Sequence, residues 1–332
     1  MTPFTVDLSL QAYLASVGLA RSPNTVRTYR NAANAFRACL QGLQIDLKSY
    51  PTDRVLENWI VDFAVHLRNY APASERLYLT AIAGWYEYLA AERLADVNLP
   101  RLRSLIRRRA RRPGQRLPQF PRADIEGILD ASADLTATAP DEIARLRDLR
   151  DRALLFTLAD TGLRVHEAVG LRRGDLDWNE GRAVLIGKGD REAVVRFSNR
   201  ALRYLRAYLE ARAPRDGSSG KPLSSLPLFA RHDPAAGKRL LPISTTTARA
   251  IVHQRARQAL GDRQEAAITP HSFRHYFVTT VLRGSGGNLK LAQELARHRS
   301  IAVTQRYAHL SDDELDRGYH QIFEGETRSP ND

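Results

Sequence analysis

Tyr307 stands between Arg306 and His309, nine residues after His298, in "ARHRSIAVTQRYAHL" (296–310). A phenol with a pKa near 10 is a weak nucleophile unless a base or a strong positive potential assists it, and these neighbours are of both kinds. In "ITPHSFRHYFVTTVLRGSG", His271, Arg274 and His275 recur at spacings of three and four. Thr269 as cap and Pro270 as first residue predict a helix. Its cationic face would oppose a core face of Phe273, Phe277 and Val281. A helix start bearing His and Arg suits a phosphate, because backbone N–H groups and a guanidinium fork both donate to anionic oxygens. "ADTGLRVHEAVGL" sets Arg164 three residues before Glu167, either an ordinary helical ion pair or an arginine oriented by its carboxylate for bidentate phosphate contact. Lys188 lies in "GKGD" in a chain whose other lysines are only Lys48, Lys221, Lys238 and Lys290. Lysine, unlike arginine, can act as a general acid. Each residue also has a plain reading as a surface or turn residue, and spacing alone does not choose.

The elements that must position these groups follow from pattern. "SPNTVRTYRNAANAFRACLQGL" opens on Ser22 and Pro23, and "APASERLYLTAIAGWYEYLAAERL" puts Leu79, Ile82, Trp85 and Leu89 on one helical face. The first hundred residues therefore read as all-helical, with Tyr29, Phe36, Trp59 and Trp85 in the core. Residues 101–120 hold eight arginines and two prolines, which reads as a domain linker able to cross a nucleic-acid backbone. Further on, "DEIARLRDLRDRALLFTLADTG" predicts a helix stopped by Gly162, then a short helix from Arg164. "GRAVLIGKGDREAVVRF" predicts a hairpin. The last segment, "SDDELDRGYHQIF", aligns Leu315, Tyr319, Ile322 and Phe323 on one face of a terminal helix.

Composition narrows the class. Lys plus Arg outnumber Asp plus Glu by 50 to 37 in 332 residues, a formal charge of +13 that favours a polyanionic partner, nucleic acid foremost. A single cysteine, Cys39, excludes an intramolecular disulfide and a cysteine-based zinc site. There is no phosphate-binding P-loop, His-Glu-x-x-His pair or serine nucleophile elbow. No 18-residue apolar run or secretion-type start is present, so the expected location is cytoplasmic, without a membrane partner.

In order, Arg164, Lys188, His271-x-x-Arg274, His298 and Tyr307, with the text "TGLRVHEAVGL", "GKGDREAVVRF", "HSFRHYFVTTVL" and "ARHRSIAVTQRYAHL", resemble the catalytic set of the tyrosine recombinase (phage integrase-like) family, over about residues 120–310. One departure is Arg297, where the family usually has glycine before the histidine.

The resemblance implies a mainly α fold with a small antiparallel sheet in the catalytic domain. It divides the chain into a helical core-binding domain (1–107), an Arg-rich linker (108–119), a catalytic domain (120–325) ending in a helix (311–325), and a tail (326–332). It implies Tyr307 as nucleophile, Arg164 and Arg274 on the scissile phosphate, Lys188 as acid, His271 as base and His298 as a phosphate contact, with Glu167 and His275 in support. Arg107, Arg108, Arg109, Arg111, Arg112 and Arg116 become candidate DNA contacts. No metal or other cofactor is implied. The partners would be a specific double-stranded DNA site and three further copies of the chain in a tetramer, in a bacterial, nucleoid-associated setting. A type IB topoisomerase or a non-catalytic DNA-binding protein of this fold are the competing readings.

Overall fold

A computed structural model describes residues 4–111, 122–135, 139–186, 192–233, 237, 239–261, 268–305 and 307. The chain forms two compact units, Met1–Arg116 and Leu117–Asp332. No described helix is long and apolar enough to cross a membrane.

The first unit is helical: α1 Val6–Ala20, α2 Pro23–Gly42, α3 Trp59–His66, α4 Pro72–Ala91 and α5 Leu99–Arg109. Ser22 accepts the Thr25 N–H and Pro23 starts α2, the local chemistry its sequence demands. Phe36, Phe63 and Trp85 meet at the centre, with ring centroids 5.1 and 5.6 Å apart, and Leu79, Ile82 and Leu89 are buried beside them. The aromatic residues read as core are core, and Tyr29 packs against its edge.

The arginine-rich stretch is not all linker. Residues 101–109 complete α5, whose Leu102 is buried, and Ala110 packs on the same core. Arg111 is spent internally: its backbone N–H and Nε both donate to Glu75, which is fully buried, and its Nη2 bonds to the Leu67 and Tyr70 carbonyls. A buried carboxylate demands such a partner, so Arg111 serves the fold. Arg107, Arg108 and Arg109 are exposed in the last turn of α5. Arg112 and Arg116 lie outside the described residues.

The second unit orders α6 Arg122–Ala133, α7 Glu142–Thr161, α8 Val165–Gly170, strands β1 Leu176–Asp177, β2 Arg182–Ile186 and β3 Glu192–Arg196, then α9 Asn199–Gly217, α10 Thr245–Leu260, α11 Pro270–Gly284, α12 Leu289–Ala296 and α13 Ile301–Gln305. Helix α7 is the spine: Leu154, Leu155, Leu158 and Ala159 are buried, and α6, α9 and α11 pack around it. The hairpin forms as expected, with Val184 opposite Val194. Ala183 and Val195 are buried while Arg182, Val184, Val194 and Arg196 are exposed, the period-2 alternation of a sheet with one face on a core. The short strand β1 adds a third, antiparallel member that two residues were too few to reveal. The Lys188 turn and the terminal helix fall outside the described residues.

Gly162 ends α7 with φ +58°, and a Cβ there would lie 2.4 Å from Phe277 Cδ1 of α11. Alanine at such a φ costs about 1 kcal/mol, and displacing a packed ring about 1–3 more. Gly162→Ala is expected to lower stability by about 2–4 kcal/mol in denaturant titrations; a loss below about 1 kcal/mol would mean the close approach is slack.

Candidate active site

The left-handed turn at Gly162 sends Arg164 to the start of α8. There the Glu167 carboxylate accepts the Arg164 backbone N–H at 2.8 Å and its Nη1 at 2.9 Å. The sequence offered an ion pair or an arginine oriented for phosphate, and the geometry shows the ion pair. Arg164 keeps 41% of its side chain exposed, and of its side chain only Nη1 donates a hydrogen bond to a described residue.

Helix α11 begins at Pro270, with the Thr269 N–H donating to Ser272 Oγ at 3.1 Å. His271 is exposed, as expected of a cationic face. Arg274 is not: it is 3% exposed. One terminal nitrogen donates to the Gly162 carbonyl at the end of α7 and the other to the Ala296 carbonyl at the end of α12. The expectation of an outward cationic face fails at this residue, because these two helix ends converge over α11 and their carbonyls need donors.

Helix α12 stops at Arg297, which adopts φ 56°, ψ 44°. The His298 N–H then bonds the Gln293 carbonyl at 3.0 Å, a cap geometry in which glycine is the usual occupant. The chain continues through α13, and Tyr307 follows it in a turn, its N–H on the Thr304 carbonyl at 2.9 Å. His298 Nδ1 lies 2.9 Å from Thr304 Oγ1, which fixes the ring. The Tyr307 ring lies 5.0 Å from that of His275 and 6.2 Å from that of His298, and His275 is 4.3 Å from His271.

Arg164, His271 and Arg274 therefore line one cleft of about 400 Å³, walled also by Leu163, Val165, Thr269, Pro270 and Arg249. Arg249, on α10, was invisible in the sequence because nothing in its neighbourhood marks it. A larger cavity of about 580 Å³ lies among α6, α7 and α10. Its lining sets three arginines against two aspartates, with Arg255 on Asp148 and Asp151 and Arg150 on Asp151, whereas the smaller cleft is lined by three arginines and no carboxylate.

Electrostatics follow from burial among cations. Burial lowers Arg274 to about 10, aided by Arg164 and Arg297, which leaves it charged at neutral pH. Burial opposes the charge on Glu167, yet the Arg164 N–H and the Arg297 and Arg164 guanidiniums hold its carboxyl below the usual range. Burial, then nearby charges, lowers His275 and His298 to about 4 each. His271, though it reaches solvent, is lowered by the partial desolvation of its ring and by Arg274 and Arg164. These imidazoles stay neutral where a free histidine would protonate, and are thus proton acceptors near pH 7. Since the unfolded chain protonates them near pH 6.5, stability is lost as pH falls from about 6.5 through about 4. Imidazole carbon NMR shifts should show His275 and His298 still neutral at pH 5.5; midpoints near 6.5 would contradict the packing.

Comparison with known proteins places the chain in a family. A model of the "Phage integrase family" matches residues 122–314. The chain is 30% identical over 316 residues to a tyrosine recombinase XerD of Pseudomonas aeruginosa, covering 92% of each. It is 31% identical over 322 residues to XerD of Mycobacterium tuberculosis, covering 91% of this chain and 93% of that one. Among solved structures it is similar to the XerH site-specific recombinase bound to difH substrate, with TM-score 0.64 at 16% identity, covering 96% and 97% of the two chains. The Tn1549 transposon integrase in complex with transposon right end DNA matches with TM-score 0.64 at 17% identity, covering 95% and 99%. With a family model spanning more than half its length and relatives matched nearly end to end, the chain belongs to the phage integrase family of tyrosine recombinases, enzymes of site-specific DNA recombination.

Proposed function

We propose that Tyr307 is the nucleophile of a DNA strand exchange in which Arg164 and Arg274 hold the scissile phosphate. The observation that carries this reading is Arg274, a guanidinium 3% exposed that bonds two carbonyls and has no ion-pair partner among the described residues. Elsewhere in this unit the buried arginines are paired, as Arg212 is with Asp216 at 2.8 Å. A buried cation without a counter-ion destabilises a fold, and a phosphate entering the cleft supplies the missing charge.

Tyr307 Oη attacks phosphorus; the Oη–P bond forms as the P–O5′ bond breaks, giving a 3′-phosphotyrosyl ester and a free 5′-hydroxyl. The phenol proton passes to the imidazole pair, His275 nearest the phenol ring and His271 beyond it. Lys188 gives a proton to the departing 5′-oxygen. Arg164 and Arg274 stabilise the charge that grows on the non-bridging oxygens, and His298, braced by Thr304, hydrogen-bonds the phosphate. The ester conserves the bond energy, so a 5′-hydroxyl from a second duplex reverses the step, and successive exchanges pass through a Holliday junction. The cationic side chains carry the charge, and no cofactor takes part.

DNA is the partner of the recombinases that this chain resembles in fold, and this chain has the surface for it. Arg107, Arg108 and Arg109 are exposed on α5, and Arg182 and Arg196 stand directly opposite each other on the outer face of the hairpin. Like charges so placed repel unless an anion lies across them. On DNA the active species is a tetramer, joined through the C-terminal segment 311–325. The test is covalent trapping: nicked duplexes tiled across DNA flanking the chain's own gene, mixed with protein in EDTA and run on denaturing gels. A shifted, protease-sensitive DNA band is expected. Fragments that are bound but never linked would return the protein to the non-catalytic DNA-binding reading.

A further inference from the structure

Arg297 occupies a backbone conformation, φ 56° and ψ 44°, that glycine adopts freely and a side chain adopts under strain. Its side chain is only 11% exposed, and its buried Nε has no hydrogen-bond partner among the described residues. Both features work against stability, so what the side chain gains must lie at its other end. There Nη2 donates to Glu167 Oε2 at 3.1 Å, across 130 residues of sequence, and reaches the Gly162 carbonyl at 3.5 Å. That carbonyl also accepts from Arg274. Glu167 in turn holds Arg164 by its backbone N–H and Nη1.

We propose that Arg297 is a positioning residue for strand cleavage: from the turn that carries His298 it clamps the Glu167 carboxylate, and through that carboxylate it fixes the Arg164 guanidinium toward the scissile phosphate. Without it, Glu167 is tied among the described residues only to Arg164, three residues away at the start of the same short helix, and the pair has no anchor on the turn after α12. With it, the start of α8 and the turn after α12 are cross-braced, and the Glu167 carboxylate is held by two guanidiniums, Arg164 and Arg297. This inference rests on the reading that Arg164 contacts the phosphate.

The test compares wild type with Arg297→Gly, Arg297→Lys, Glu167→Gln and the Glu167→Gln/Arg297→Gly double variant, in single-turnover cleavage at saturating nicked DNA that wild type cleaves. Arg297→Gly is expected to cleave about 10- to 100-fold more slowly, with its DNA affinity within about threefold of wild type. Its Tm should hold, since glycine relieves the backbone. Arg297→Lys should recover part of the rate, because an ammonium restores one charged contact. In the Glu167→Gln background the glycine substitution should cost less than about threefold more. A wild-type cleavage rate in Arg297→Gly overturns the inference alone. So does a rate loss undiminished in the Glu167→Gln background, which would put Arg297 on the DNA directly. A large Tm loss with an unchanged rate constant in the folded fraction would make its role structural. If wild type itself forms no adduct on DNA it binds, the cleavage reading falls, and this inference with it.

Discussion

Tyr307→Phe is expected to abolish covalent adduct formation while leaving folding and DNA binding intact. The substitution removes one oxygen and keeps the ring, which packs against the small cluster of Val278, Leu282, Ala292 and Ala296. Packing of that kind is indifferent to the hydroxyl, so Tm and DNA affinity should match wild type. Covalent chemistry is not indifferent: with no Oη there is no ester, and the expected loss of cleavage is at least about 10⁴-fold. The same nicked fragments, denaturing gels and protease digestion give the readout. An adduct persisting in the Phe variant would transfer the nucleophile elsewhere, and the nearby imidazoles would be the first alternatives, since His275 and His298 flank the ring at 5.0 and 6.2 Å. The reading would also fail if the Phe variant lost DNA binding in parallel, because the hydroxyl would then serve recognition.

The sequence made the helices legible because their signals are local. Ser22–Pro23, Gly162 and Thr269–Pro270 act within a turn of where they stand, and each starts or stops a helix as its chemistry requires. The hairpin was equally legible from its two apolar runs, whereas β1 is two residues long and owes its existence to a neighbouring strand. In the site, residue types and order were readable but their surroundings were not. Arg274 was assigned to a solvent-facing stripe because helical spacing cannot know that the ends of α7 and α12 arrive overhead. Arg111 looked like one more cation in a basic run, and only tertiary packing brings the buried Glu75 to it, 36 residues away in sequence. Arg297 was visible as a departure from the family's glycine. The reason for that glycine, a left-handed cap, and the use made of the arginine, a contact 130 residues away, are both products of the fold.

Arg274→Lys should be the most damaging conservative change in the cleft. The guanidinium reaches two carbonyls at once, on Gly162 and Ala296, and its planar fork is what allows two helix ends and a phosphate oxygen to share one side chain. A lysine of nearly the same length presents a single ammonium. It can satisfy one carbonyl or the phosphate with good geometry, and a carbonyl left buried without a donor costs about 1–3 kcal/mol. The ammonium is also more strongly hydrated, so holding it in a site this buried is harder. Two consequences separate in measurement. Stability should fall by about 1–3 kcal/mol in denaturant titrations, leaving the protein folded at 25 °C. Cleavage at saturating DNA should fall by about 10²–10³-fold, the loss typical of removing a preorganised donor from a charge that develops only in the transition state. DNA affinity should change little, since many exposed arginines share the contact with the backbone. A lysine variant cleaving within about tenfold of wild type would show that the fork geometry is dispensable. Arg274 would then be a charge that holds two helix ends together, and the task of binding the phosphate would rest on Arg164.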